Sequence, residues 1–249
     1  MILKKDLNFL FHCIFIILII VFFFLSFQDD KVFDQIIKKS INKSMTDEKK
    51  LTTLLNITHN FLKDKKGFYQ ISSKGKINPN NLILKSINGD GDCGDYATIL
   101  SRLLIRAGIK VRLGQMKCDN IWACHIIVEA KINNKWIITD PTYNLIFKNS
   151  NNQMTEFNEI KNNFEYFRSQ VPSNYNLEYD YDDMRYTNWE KIPIITVSAA
   201  KIISFLKPNT KYHDISLKIY LLNIYKVYLV GLIIIYCLLI FLQALRNFK

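Results

Sequence analysis

The chain has 249 residues, enough for one domain of ordinary size plus additional segments. Its net charge of +11 raises nucleic acid as a partner, but the lysines come as scattered pairs (Lys38-Lys39, Lys49-Lys50, Lys65-Lys66) among acids and asparagines. No basic helix or aromatic-basic RNA motif is present, so nucleic acid drops out and a solvated basic surface beside an anionic membrane remains.

Hydrophobic residues make up 49% of the chain and gather at its two ends. Residues 7–27 are Phe, Ile, Leu and Val broken only by Asn8, His12, Cys13 and Ser26, a run long enough to cross a bilayer. Leu25-Ser26-Phe27 offers no small-x-small cleavage pattern, so residues 1–27 read as an uncleaved anchor. Residues 227–245 are a second charge-free stretch, with Tyr220, Tyr225 and Tyr228 at its start and Arg246 and Lys249 after it. Interfacial tyrosines and flanking cations are usual at membrane boundaries. The second span is set at 219–245, with a basic tail at 246–249. Two spans place both termini on one side of the lipid bilayer. Lys4 and Lys5 precede the first span and Asp29, Asp30 and Asp34 follow it, which predicts cytoplasmic termini and a middle region facing the periplasm or cell exterior.

After the anchor, residues 28–46 predict a juxtamembrane helix with Val32, Phe33, Ile36, Ile37 and Ile41 as its apolar positions. Thr46-Asp47-Glu48-Lys49 is a helix start, opening an amphipathic helix that buries Leu51, Leu54, Leu55, Thr58 and Leu62 and stops before Gly67. His59 lies outside every motif and reads as an ordinary helix residue. Residues 68–85 are polar and turn-prone, with Asn78-Pro79-Asn80-Asn81 as loop chemistry.

Gly89-Asp90-Gly91-Asp92-Cys93-Gly94-Asp95-Tyr96-Ala97 reads as a glycine-loosened loop turning into a helix, with Asp92 as N-cap and Cys93 as the first helical residue. Ala97, Leu100, Leu104 and Ala107 recur at helical spacing, Asp95, Thr98, Arg102 and Arg106 form a separate polar stripe, and Gly108 is the stop. The positive end of a helix dipole favours a thiolate, the nucleophilic form of cysteine.

A strand is predicted from Lys110 to Met116, then a turn and a second strand carrying Cys124, His125 and Glu129. Asn133-Asn134 is the next hairpin turn, and Lys135 to Asp140 forms a third strand closed by Pro141. Helix-Cys, strand-His and strand-Asp can bring a nucleophile, a base and a residue that orients the base into one cleft. Cys118 and Cys124 flank the first turn, but a turn at Asp119-Asn120 would not set them opposite each other, so no disulfide is expected. Zinc on Cys118, Cys124 and His125 is not expected either, since adjacent strand residues point to opposite faces and no fourth ligand is evident. Glu129 reads as a structural or rim charge, and Trp136 as core.

Farther on, residues 148–153 read as an asparagine-rich linker and 155–170 as a helix with Phe157, Ile160, Phe164 and Phe167 inward. The acid and tyrosine run at 178–183 reads as a solvated loop near the cleft, because its spacing matches no calcium loop. Asn188-Trp189-Glu190-Lys191-Ile192-Pro193 is a lid or a packing strip.

Gly91-Asp92-Cys93 with Ala97, the Leu103-Leu104…Ala107-Gly108-Ile109 helix end, His125-Ile126-Ile127-Val128-Glu129 and Trp136-Ile137-Ile138-Thr139-Asp140-Pro141-Thr142 resemble the transglutaminase-like superfamily of papain-like thiol enzymes. The resemblance spans about 47–143 and implies an α+β fold, with the cysteine on the N-terminus of a buried helix packed on an antiparallel sheet. It also implies a catalytic triad of Cys93, His125 and Asp140 with no cofactor. The expected arrangement is a core at 47–147 and an extension at 148–218, held between two transmembrane helices. The expected activity is acyl transfer or hydrolysis on a protein or peptide amide. The alternative is a non-catalytic module that serves a membrane-protein partner in a cell-envelope complex.

Overall fold

The computed structural model describes residues 2–62, 92–118, 121–187, 202, 205 and 215–247, with side chains described from residue 9 onward. The 68–85 loop, Gly89 and Gly91, the Asp119-Asn120 turn and the 188–193 strip lie outside the described residues. The chain divides into two compact units, one of Met1–Gln35 with Tyr220–Lys249 and one of Ile36–Ile219.

In the first unit, helix α1 (Ile2–Ser40) and the final helix α6 (Ile224–Asn247) lie side by side. His12 meets the Tyr236 hydroxyl at 3.2 Å, the Phe22 ring meets Tyr228, and Asn223 donates to Asp30 at 3.1 Å. These pairings run in opposite directions along the two helices, so the helices are antiparallel. The stretches Phe9–Ser40 and Ile224–Arg246 are both long and apolar enough to cross a membrane.

The second unit is mixed α and β. Helix α2 (Asp47–Leu62) buries Leu51, Leu54, Leu55, Thr58 and Leu62, the face that its periodicity predicts. It packs against α3 (Cys93–Arg106), which lies on strands β1 (Val111–Cys118) and β2 (Ile121–Ile132). Gly108 ends α3 at φ +83, a conformation that costs glycine little. Asp95 and Arg102 depart from the polar stripe expected on α3, since they are buried at 8% and 3% exposure.

Strand β3 is Lys135–Asp140, β4 is Leu145–Ile146 and β5 is Tyr179–Arg185. Together they form a five-stranded sheet in the order β4-β3-β2-β1-β5, antiparallel throughout. Asn133 and Asn134 both have positive φ, as a two-residue hairpin turn between Ile132 and Lys135 requires.

An apolar cluster joins Met116, Ile127 and Ile138 of the sheet to Phe147, Phe157, Ile160, Phe167 and Tyr181. Phe157 and Ile160 belong to α4 (Phe157–Asn162) and Phe167 to α5 (Phe164–Arg168). These two short helices replace the single helix expected over 155–170. The break falls at Asn163, whose φ of −149° and ψ of 49° lie outside the helical range, and asparagine leaves helical dihedrals at low cost.

The 178–183 run is not a solvated loop. Tyr179-Asp180-Tyr181-Asp182 alternates with a period of two and forms the start of β5, with Tyr181 turned into the core at 4% exposure.

Candidate active site

The nucleophile candidate is held by its helix. Asp92 caps α3: its side chain accepts from the Asp95 N–H at 3.0 Å, and Asp95 in return accepts from the Asp92 N–H at 3.1 Å. This capping box fixes the first turn and makes Cys93 the first helical residue, half-buried and free of any disulfide. Glycine follows because space is short: a Cβ on Gly94 would lie 3.1 Å from Asp92 Oδ1 and 3.7 Å from Ile126 Cδ1.

His125 and Asp140 come from adjacent strands and meet in the interior. Nε2 lies 2.7 Å from Asp140 Oδ2, and each residue is only 1% exposed. The other carboxylate oxygen, Oδ1, accepts from the Thr142 N–H at 3.1 Å, an Asx-type turn that holds the carboxylate in place. Burial is the largest influence on the imidazole and lowers its pKa. The charge and hydrogen bond of Asp140, followed by the Cys93 thiol as a hydrogen-bonding and charged neighbour, outweigh burial and raise it from 6.5 to about 9. Nε2 is the ring nitrogen taken by Asp140. The other ring nitrogen, Nδ1, is buried and has no hydrogen-bond partner among the described residues.

The strand bearing His125 is irregular just before it. Lys117 pairs with Trp122, but the next pair is Met116 with His125, which leaves Ala123 and Cys124 as extra residues. Ala123 takes up the bulge with φ at 62°. The bulge also draws Cys124 back until its Cα is 5.9 Å from that of Cys118, and the two form a disulfide. The absence of a disulfide, expected from a regular hairpin, is therefore overturned by the two inserted residues. Neither sulfur is available to zinc, and among the described residues no cluster of His, Cys, Asp and Glu suits a metal ion.

Four tyrosines surround His125 and Asp140, and two of them, Tyr179 and Tyr181, come from the run expected as a loop near the cleft. The Tyr179 ring stacks on the His125 ring with centroids 4.0 Å apart and planes 2° from parallel. Tyr143 approaches the same imidazole edgewise, and its hydroxyl lies 3.4 Å from that of Tyr179. Tyr175 packs on both rings and shares a hydrogen bond of 2.6 Å with Tyr181. Burial is the main cause of raised phenol pKa values at Tyr175, Tyr179 and Tyr181, so these hydroxyls keep their protons. The period-two alternation in 179–182 is the signal that places Tyr179 and Tyr181 on a strand; it carries no information about Tyr143 or Tyr175.

Residues 36–141 match the family model of the transglutaminase-like superfamily. This segment is a transglutaminase-like domain. No curated protein and no solved structure matches the chain. The transglutaminase-like segment holds Cys93, His125 and Asp140, but Tyr143, Tyr175, Tyr179 and Tyr181 all lie beyond it.

Two other residues have structural roles around the site. Glu129 is buried at 1% exposure and pairs with Arg112, while the Tyr186 hydroxyl donates to it at 2.7 Å. The Arg112 guanidinium is sandwiched between the half-buried Trp136 ring at 4.4 Å and the Tyr186 ring at 4.2 Å. His59 reaches from α2 to the Pro141 carbonyl at 3.4 Å, next in sequence to Asp140.

Proposed function

We propose that this protein is a membrane-anchored thiol enzyme that forms a thioacyl intermediate on Cys93 during acyl transfer or hydrolysis at an amide bond. The observation that carries this reading is the buried 2.7 Å contact between His125 and Asp140, joined to an imidazole that Cys93 pushes further toward protonation. An imidazole favoured in its charged form beside a thiol is the arrangement that stabilises a thiolate–imidazolium pair.

The thiolate of Cys93 attacks the carbonyl carbon and the C=O electron pair moves to oxygen. The N–H of Cys93 itself, at the first helical position where no intrahelical acceptor exists, is the natural donor to that oxyanion. His125 gives its proton to the leaving amine as the tetrahedral species collapses, while Asp140 holds the ring in the required tautomer. Water then completes hydrolysis, or a second amine completes transamidation.

The Cys118–Cys124 disulfide supports placing the domain in the periplasm or cell exterior, since disulfides persist in oxidising compartments. In a Cys93→Ala background, Asn151→Cys on the exposed 148–153 segment should be alkylated by a membrane-impermeant maleimide in intact cells. Labelling only after lysis would instead mean a cytosolic domain. A thiol-reactive acyl probe applied to membranes should label Cys93, and Cys93→Ala should abolish the signal. Undiminished labelling, or labelling confined to other cysteines, contradicts the assignment. Full rescue of a deletion phenotype by Cys93→Ala would favour a non-catalytic partner of a membrane complex.

A further inference from the structure

We infer that Tyr179 is a positioning residue for His125, a flat platform supplied from outside the transglutaminase-like segment that holds the imidazole in line between Asp140 and Cys93. This rests on the thiol-enzyme reading above.

The imidazole is fixed at one end by its 2.7 Å contact with Asp140. A single hydrogen bond leaves the ring free to rock about its axis, and Nδ1 is the atom that such rocking displaces. The Tyr179 ring lies 4.0 Å away and only 2° from parallel, so it closes one whole face of the imidazole to rotation. Parallel stacking of this kind suits aromatic rings in contact. The phenol face attracts the imidazole further when that ring carries a proton.

The platform is itself anchored. Tyr179 opens β5, pairs in register with Cys118 of β1, and Cys118 is bridged to Cys124, the residue preceding His125. A covalent and ladder path therefore joins the platform strand to the strand it serves. Tyr175 meets the Tyr179 ring edge-on at 5.3 Å, and Tyr143 meets its hydroxyl. Residue 179 lies 38 positions past residue 141, the last of the family match (179 − 141 = 38). The 36–141 segment alone lacks this platform.

The test measures the second-order rate of chloroacetamide alkylation of Cys93, read on its own peptide by mass spectrometry in the full-length protein. The pH is set about two units below the ordinary thiol pKa of about 8.5, where only a paired thiolate reacts quickly. Tyr179→Phe keeps the flat face and should react within about threefold of the parent chain, while Tyr179→Ala should react roughly tenfold to a hundredfold more slowly. Tyr179→Leu keeps apolar bulk without a flat face and should fall with Ala. It serves as the readout if the Ala protein does not fold, and thermal melts of each variant confirm that folded protein is compared. Equal rates for parent, Leu and Ala chains overturn the positioning role but leave the thiol-enzyme reading standing. An equal loss in Phe and Ala overturns it as well, because the hydroxyl would then be the working part. If the parent chain reacts no faster than a free thiol, the underlying reading fails first.

Discussion

Asp140 Oδ2 and His125 Nε2 approach to 2.7 Å inside the protein, from the end of one strand and the middle of its neighbour, with both residues 1% exposed. The antiparallel register of β2 and β3 brings the two strands together, and the Asx turn to Thr142 sets the carboxylate's angle. The proposed chemistry and the pH dependence of stability are both tested at this contact.

Asp140→Asn keeps the shape of the carboxylate but removes its charge. The imidazole pKa should fall well below its present value of about 9, because burial, which opposes the charged form, then meets less resistance. Acyl-probe labelling of Cys93 near neutral pH should fall by at least about tenfold, because an imidazole without its carboxylate is neither oriented nor charged as the thiolate requires. Rates measured side by side on the two proteins check this.

The same pair makes stability depend on pH. His125 has a folded-state pKa raised from 6.5 to about 9. Its protonation therefore stabilises the fold fully below about pH 6.5, and this contribution is lost as the pH rises through about 9. Thermal unfolding of the parent chain should show a melting temperature that declines across this window, with a flatter profile for Asp140→Asn.

Much of this arrangement was legible in the sequence. The N-cap at Asp92, the inward face of α2, the Asn133-Asn134 turn and the strand ending at Asp140 are local signals, and each was read from a few adjacent residues. The disulfide and the tyrosine platform were not legible for a different reason. Cys118 reaches Cys124 only because Ala123 and Cys124 are inserted into one strand, and Tyr179 meets His125 only after β5 has added to the far edge of β1. The first depends on a bulge inside one hairpin and the second on the pairing register of a strand roughly fifty residues away, and spacing along the chain encodes neither.

Glu129 should behave as a structural charge. Glu129→Ala leaves the Arg112 guanidinium between two aromatic rings with its buried partner removed, at a cost of about 3 kcal/mol. Glu129→Gln keeps an acceptor for Arg112 and for Tyr186 and should cost much less. Burial already raises the glutamate's pKa despite Arg112, so a neutral replacement is the milder change. Chemical denaturation of the two variants should rank them in that order, with Cys93 labelling retained in the Gln protein.

Removal of the Cys118–Cys124 bridge by paired serine substitutions should destabilise the domain by about 2 kcal/mol, the loop-closure value for so short a loop. A larger effect is expected on Cys93 reactivity than on stability, since the bridge ties the residue before His125 to the strand that supports Tyr179. Comparing the loss of labelling with the loss of melting temperature separates the two.

The most direct test of the central claim is to trap the covalent intermediate. Purified full-length protein is mixed with an activated peptide amide or ester, quenched in acid and digested, and the Cys93 peptide is weighed before and after hydroxylamine. The account predicts an acyl mass on Cys93 that hydroxylamine removes, greatly reduced in His125→Ala and absent in Cys93→Ala. A folded parent protein with no acyl mass on Cys93, or with the same acyl mass in His125→Ala, would contradict it.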